Sequence, residues 1–114
     1  MISGIGASLA GLAVFEKKLS AAANNIANSN TSGYKKTESV ITEDGSGLPE
    51  LSLKQVDTPG PLVQEADGKI SEQSNVDLAE ELTQSIVAQR GYEANIKALQ
   101  TQNDTLGKAL DILV

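Results

Sequence analysis

The side chains of this chain that could do acid–base or metal chemistry are carboxylates, hydroxyls and lysines, because its 114 residues include neither histidine nor cysteine. That composition excludes thiolate and imidazole ligands for zinc, haem or iron, and every catalytic triad that depends on histidine. Glu80 and Glu81 could be considered as an acid–base or metal-binding pair. Adjacent residues on a helix point about a quarter-turn apart, however, and a first turn favours acids through the helix dipole. The sequence therefore predicts no enzyme, no metal site and no cofactor.

Two segments, one at each end of the chain, have the apolar spacing of amphipathic helices, with alternating steps of three and four residues. Glu16 interrupts this spacing in the first segment, and Ser85, Gln89 and Asn103 interrupt it in the second. A polar residue at such a position can set the register of a coiled coil or simply be solvated near a helix end, and both readings of Asn103 stay open. The predicted helix seam consists of Ile5, Leu9, Leu12, Leu19, Ile26, Leu78, Leu82, Ile96, Leu99, Leu106 and Leu110.

The ends of both helices are marked by residues that satisfy free backbone groups. Asn75 or Asp77 can accept hydrogen bonds from the first N–H groups of the second helix, so we expect this helix to begin within a residue or two of Asp77. The first helix ends in the polar run 28–33, whose side chains compete for backbone hydrogen bonds. Gly33 can adopt a positive φ there, which predicts a defined turn.

The segment between the helices changes to short β-like runs separated by turn residues. Its strand candidates are residues 38–41, 51–56, 62–65 and 69–71. The fold class that results is mainly α with a small β or irregular middle, in which the N- and C-terminal amphipathic helices pair as a coiled coil or helical hairpin. The predicted divisions are 1–36 for the N-terminal helix and its signature, 37–74 for the short extended middle, and 75–114 for the C-terminal helix.

Composition sets limits on what the chain does. Its length permits one small domain, and a net charge of −6 with three aromatic residues argues against a nucleic-acid partner. With so few residues and so few aromatic side chains, the chain can bury only a small apolar core. We therefore expect the apolar helix faces to supply much of the stability, within the chain or between chains. The uncharged residues 2–15 are too few to cross a bilayer and no basic residue precedes them, so we expect neither membrane insertion nor a cleavable signal peptide.

Residues 22–35 resemble the N-terminal signature of the flagellar rod and hook axial proteins, an Asn-Asn-Ile-Ala-Asn core followed by Thr-x-Gly-aromatic-Lys. Residues 75–113 resemble the C-terminal region of the same family, with Asn-Val-Asp opening a helix and Arg-Gly-Tyr-Glu-Ala-Asn inside it. A polar run after a helix is by itself typical of an ordinary cap and turn. Two matches at opposite ends, in the right order, indicate the family instead. The resemblance defines a predicted assembly motif of Asn24, Asn25, Ile26, Asn28, Thr31, Gly33, Tyr34, Lys35, Asn75, Asp77, Arg90, Tyr92 and Asn95.

The resemblance implies a structural subunit of the bacterial flagellar basal-body rod, which serves motility. In that family the terminal helices pack with those of neighbouring subunits into a helical tube around an export channel. The expected partners are further copies of the chain, other flagellar rod proteins and the type III export apparatus, and the expected location is the periplasm-spanning rod. The short middle segment places the chain nearest the short proximal-rod type. An alternative is a rod-like paralogue or adaptor that binds the basal body without being a required subunit.

Overall fold

The computed structural model describes residues 2–114, so Met1, with which the predicted N-terminal segment begins, lies outside the described residues. Along the sequence, one long helix precedes and another follows four short strands. This order confirms the mainly helical fold class with a small β middle. The elements are α1 (Ile2–Ala27), β1 (Thr37–Glu43), β2 (Pro49–Gln55), β3 (Leu62–Gln64), β4 (Ile70–Glu72) and α2 (Leu78–Leu113).

Helix α2 begins where the polar residues before it predict. Asp77 is the N-cap, and its side chain accepts hydrogen bonds from the backbone N–H groups of Ala79 at 2.9 Å and Glu80 at 3.4 Å. Glu80 and Glu81 lie in the first turn, where the helix dipole favours negative charge. Of the two predicted caps, Asp77 is the one used, which leaves the side chain of Asn75 for other contacts.

The four strands form two separate antiparallel hairpins. Strands β1 and β2 pair from Thr37 opposite Gln55 to Glu43 opposite Pro49. Strands β3 and β4 form a shorter pair. All four predicted strands are present, with ends that differ by at most two residues, but they build no common sheet. The first hairpin packs on α1, whereas β3 and β4 contact no other helix or strand of the described chain.

Helices α1 and α2 lie antiparallel and form a helical hairpin, as predicted. Gly4 faces Gln102 and Gly11 faces Asn95, so one helix runs backwards along the other. The whole molecule is elongated, with extents of 79 × 25 × 13 Å.

Small residues allow the two helix backbones to approach closely. A Cβ atom added to Gly11 would lie 2.7 Å from Oδ1 of Asn95, and one added to Gly91 would lie 2.5 Å from Cζ of Phe15. The buried apolar side chains are correspondingly small, namely Val14, Ala21, Ala22 and Ala88. Close packing of small residues, rather than a broad leucine core, joins the helices.

The contact line between the helices lies one residue away from the predicted seam. On α1 the contacts are made by positions 4, 8, 11 and 15, and on α2 by positions 91, 95 and 102. Ile5, Leu9, Leu12 and Ile96 each follow one of these contact positions by one residue. Because the helices are antiparallel and both offsets run in the same chain direction, the two seams turn toward the same side of the hairpin.

Several seam side chains are therefore offset from the line along which the two backbones approach most closely. Their exposed members retain 42 to 60% of their accessible surface, and these are Leu9, Leu19, Leu78, Leu82 and Leu110. The remaining members are part-buried, and these are Ile5, Leu12, Ile26, Ile96, Leu99 and Leu106. Glycine, serine and alanine positions permit a shorter distance between helix axes than leucine positions, which is the physical reason for this choice of face. Within the described part of the chain, no helix is both long enough and apolar enough to cross a membrane.

Candidate assembly site at the helix ends

Asn25, in the last turn of α1, is almost completely buried and binds the chain that follows the turn. Its Oδ1 atom accepts hydrogen bonds from the Thr37 N–H at 2.9 Å and from the Tyr34 hydroxyl at 3.1 Å. Its Nδ2 atom donates to the Thr37 carbonyl at 2.8 Å. The side-chain amide thus replaces a backbone partner for Thr37 and fixes the start of β1 against α1.

Asn75, just before α2, binds the neighbouring peptide N–H group, that of Lys36. Its Oδ1 atom accepts from the Lys36 N–H at 2.7 Å, and its Nδ2 atom donates to the carbonyls of Val56 at 2.8 Å and Thr58 at 3.0 Å. The Asn75 N–H also donates to the Tyr34 carbonyl at 3.3 Å. We call Asn25, Tyr34 and Asn75, with the peptide groups that they bind, the asparagine clasp. It joins the end of α1, the first hairpin and the start of α2.

Two ion pairs flank the asparagine clasp. The ammonium group of Lys35 binds the carboxylate of Glu72 and also donates to the Thr58 carbonyl at 2.9 Å. Hydrogen bonds from Lys35 and from the Gly60 N–H, the latter at 2.8 Å, lower the pKa of the Glu72 carboxyl. Lys35 and Glu72 lie far apart in sequence, so this ion pair joins β4 to the signature of residues 22–35.

The second ion pair joins the signature to α2. Lys36 Nζ lies 2.9 Å from Oε2 of Glu80, and the hydrogen bond that it donates to this carboxylate raises the pKa of the Lys36 ammonium group. The lysine therefore stays charged over the whole physiological range. Its position places a cation beside the negatively charged first turn of α2.

The polar run after α1 is used by the turn itself. Asn28 Nδ2 donates to the Asn24 carbonyl at 2.9 Å, and the Thr31 hydroxyl donates to Asn28 Oδ1 at 3.1 Å. Gly33 has φ of 72°, a conformation that strains other residues, and its N–H donates to the Glu72 carbonyl at 2.8 Å. Ile26 is part-buried on the adjacent face of α1. The N-terminal part of the predicted motif thus forms one connected network.

The C-terminal part of the motif does not share this network. Asn95 lies about 25 Å along α2 from its start, by the rise of 1.5 Å per residue, and packs against Gly11. Its Nδ2 atom donates to the Gly91 carbonyl at 2.9 Å. Arg90 and Tyr92 are exposed on the same stretch of helix, and Arg90 forms no ion pair with the described residues. The structure therefore divides the predicted motif between the helix ends and the middle of the hairpin.

Several residues of this site carry no signal in the sequence. Glu72, Thr58 and Gly60 lie in the extended middle. Only their spatial position reveals that Lys35 binds Glu72 and Thr58, and that Gly60 donates to Glu72. Gly60 packs so closely on the Gln73 carbonyl that no side chain fits there. A glycine between two prolines indicates a turn, but it does not identify the neighbour that excludes a Cβ atom.

The site binds and positions protein segments, and nothing in its geometry prepares a reaction. Among residues 2–114, no group of three or more acids is placed to hold a metal ion. The buried polar groups of the site hold the first hairpin in place where α1 ends and α2 begins.

Comparison with known proteins identifies the family. Residues 7–35 match the family model described as flagella basal body rod protein, and residues 68–112 match that of the flagellar basal body rod FlgEFG protein C-terminal region. The chain belongs to the family of flagellar rod and hook axial proteins.

Two relatives show the extent of the similarity. Over 40 residues the chain is 58% identical to the flagellar basal-body rod protein FlgG of Borreliella burgdorferi. This matched segment covers 35% of the chain and 15% of the relative. Over 72 residues it is 31% identical to the flagellar hook protein FlgE of Treponema pallidum. This second matched segment covers 63% of the chain and 15% of the relative. The matched segments thus span about 15% of the length of these relatives. The family is one of structural flagellar proteins.

Proposed function

We propose that this chain is a subunit of the flagellar basal-body rod that assembles with further copies through its terminal helices into a helical tube. The observation that carries this proposal is the position of the two apolar seams on one side of the hairpin. Leu9 and Leu19 of α1 and Leu82 of α2 remain about half exposed there. A soluble monomer gains nothing from leaving these apolar side chains exposed on both helices.

Covering this face contributes favourable free energy to association. Complete burial of one large apolar side chain contributes about 1.5 to 3 kcal/mol, so covering the exposed half contributes roughly 1 kcal/mol each. A contact between different surfaces of identical subunits, repeated without closure, produces a filament or tube. Because the seam draws on both helices, both ends of the chain are needed for the contact.

The proposal extends to partners and location. The similarity to a flagellar basal-body rod protein and a hook protein supports other flagellar rod proteins as neighbours and the basal body as the site of assembly. Export by the type III apparatus without a cleavable signal, and a role in motility, belong to the same proposal. The short middle segment 37–74, flanked by the terminal segments 1–36 and 75–114, favours the short proximal-rod type. The role of the predicted motif in assembly stays a prediction, for which the asparagine clasp supplies a positioning mechanism.

Sedimentation velocity over a range of protein concentrations tests the proposal. We expect concentration-dependent oligomers from the wild-type chain and a loss of these oligomers in the double variant Leu9→Ser/Leu82→Ser. The matched control is Leu62→Ser/Ile70→Ser, which removes two still more exposed apolar side chains from the second hairpin. Equal association of both variants would contradict the role of the seam.

Deletion of the gene separates a required rod subunit from the alternative reading as an adaptor or paralogue. A required subunit predicts loss of flagella in electron micrographs and of swimming, with rescue by the intact gene but not by one that lacks residues 75–114. Normal flagella, together with binding to a rod protein and little self-association, would support the adaptor instead.

A further inference from the structure

Glu81 is a buried acid that none of the contacts described above uses. It lies in the first turn of α2 and is only 6% exposed. Its carboxylate forms no hydrogen bond or ion pair with the described residues. It borders a cavity of about 150 Å³ between α1, β1 and α2, which we call the Glu81 pocket. The charged or amide side chains around this pocket are those of Lys18, Lys36, Glu38, Glu80, Glu81 and Gln84.

Glu81 lines this pocket and is otherwise almost completely enclosed. Among the described residues, no fully buried side-chain nitrogen or oxygen lacks a hydrogen-bond partner. The Glu81 oxygens have no partner, so they must retain contact with solvent, and the pocket is the space that they border. Burying a carboxylate is costly unless a cation or hydrogen-bond donor reaches it, so the pocket leaves the acid open to a cationic ligand.

The charges around the pocket leave one cation missing. Three carboxylates, those of Glu38, Glu80 and Glu81, face two lysines, Lys18 and Lys36, which leaves a net charge of −1. Lys36 is already paired with Glu80, and Lys18 lies within ion-pair distance of no acid in the described chain. A single monovalent cation would therefore neutralise the pocket.

The distribution of charge along the chain indicates where that cation comes from. Residues 35–81 contain eleven acids and four bases, a net charge of −7, whereas the rest of the chain carries +1. Arg90 and Lys97 are exposed on the helical hairpin and form no ion pair with the described residues. A neighbouring copy therefore brings unpaired basic groups to an acidic end of the molecule, and opposite charges attract.

We propose that the Glu81 pocket receives the ammonium or guanidinium group of a basic side chain from a neighbouring subunit. The pocket has the volume for such a group, and it lacks the arrangement of acids that would hold a metal ion. This inference rests on the proposed function, because it assigns one contact of the assembly. It adds an electrostatic contact at the acidic end of the molecule to the apolar contact along the seam.

Carbon-detected NMR of the full-length chain tests the pocket directly. Butylammonium chloride serves as the probe, with sodium chloride at the same ionic strength as the reference. We expect a saturable shift of the Glu81 side-chain carboxylate resonance with butylammonium. Saturable shifts of the backbone amide resonances around the pocket should be lost in Glu81→Gln and kept in Glu93→Gln. Glu93 is a suitable control because it lies on the same helix, is exposed and bonds only to Gln89. No shift, or the same shift with sodium chloride, would overturn the inference.

Sedimentation of the same variants tests whether a neighbouring chain supplies the cation. We expect Glu81→Gln to weaken self-association by about tenfold, as is typical for the loss of a partly buried charge contact, while Glu93→Gln associates like the wild type. Circular dichroism verifies that both variants are folded. If the wild type associates and Glu81→Gln associates equally well, the inference fails and the proposed function stands. If the wild type does not associate at all, the proposed function fails, and a saturable butylammonium shift would still support the cation pocket.

Discussion

Asn25 and Asn75 bind two consecutive peptide N–H groups at the start of β1. The Asn75 Oδ1 atom accepts from the Lys36 N–H at 2.7 Å, and the Asn25 Oδ1 atom accepts from the Thr37 N–H at 2.9 Å. The two asparagines lie on either side of the middle segment, one in the last turn of α1 and the other just before α2. Each supplies a hydrogen bond that a neighbouring strand would otherwise provide. The ends of the two helices are therefore joined through one short stretch of backbone.

We expect Asn25→Ala to lower the free energy of unfolding by about 2 to 4 kcal/mol, because it leaves several part-buried donors and acceptors without partners. Urea unfolding followed by circular dichroism measures the change. Asn24→Ala is the matched control, since the Asn24 side chain is exposed and makes no hydrogen bond in the described chain. The control should change stability by less than about 0.5 kcal/mol. Equal effects of both substitutions would contradict the structural role of the clasp.

Asn75→Asp tests the donor half of the second asparagine. Aspartate can still accept from the Lys36 N–H, but it cannot donate to the carbonyls of Val56 and Thr58, and its charge would face them instead. We expect a loss of about 1 to 3 kcal/mol at neutral pH. Asn103→Asp introduces the same charge at an exposed position of α2 and should have little effect. Wild-type stability in Asn75→Asp would show that these two carbonyls do not depend on the amide.

The close contact of the helices predicts opposite effects for two glycines of α2. Gly91→Ala places a Cβ atom against the ring of Phe15, so we expect a loss of about 1 to 3 kcal/mol from the strain of overpacking. Gly107→Ala meets no other atom within 4 Å and should raise stability by up to about 1 kcal/mol through its greater helix propensity. Thermal unfolding of both variants measures the contrast. A stabilising Gly91→Ala would mean that the helices pack less closely than the structure shows.

The ion pair between Lys35 and Glu72 predicts a specific dependence of stability on pH. The pKa of Glu72 is lowered below its ordinary value of 4.5 in the folded chain by the ammonium group of Lys35 and the Gly60 N–H. A lowered folded pKa stabilises the fold at pH values above the unfolded pKa, and this contribution is lost as the pH falls through the folded pKa. The stability advantage of the wild type over Glu72→Gln should therefore be present at neutral pH and disappear in acid below pH 4.5.

Urea unfolding at a series of pH values measures this advantage. Glu65→Gln is the control, because the Glu65 side chain is exposed and makes no hydrogen bond in the described chain. The difference between wild type and Glu65→Gln should not show the loss in acid that Glu72→Gln shows. A Glu72→Gln difference that is constant with pH would mean that the carboxylate charge contributes nothing.

Local features of the sequence identify the elements and most of their ends. Asp77 begins α2 because a side-chain oxygen next to an apolar helix satisfies the first free N–H groups, and this requires only residues 77–80. Gly33 has positive φ because the chain turns sharply there, again a local property. The family signature is likewise visible in the sequence, since its residues are contiguous. These predictions succeed because their causes act over a few residues.

Which faces of the helices meet was decided only by the tertiary structure. Apolar spacing marks Leu9 and Leu82, but the helices join along a line one residue away, at positions such as Gly11 and Gly91. The distance between two backbones that are far apart in sequence sets this preference, and the spacing within one helix does not contain it. The contacts of Asn25 with Thr37, and of Lys35 with Glu72, have the same origin. The sequence by itself thus determined the helices, their caps and the family. The tertiary structure decided which polar residues join the helix ends and which apolar side chains stay exposed, because both depend on how distant segments pack.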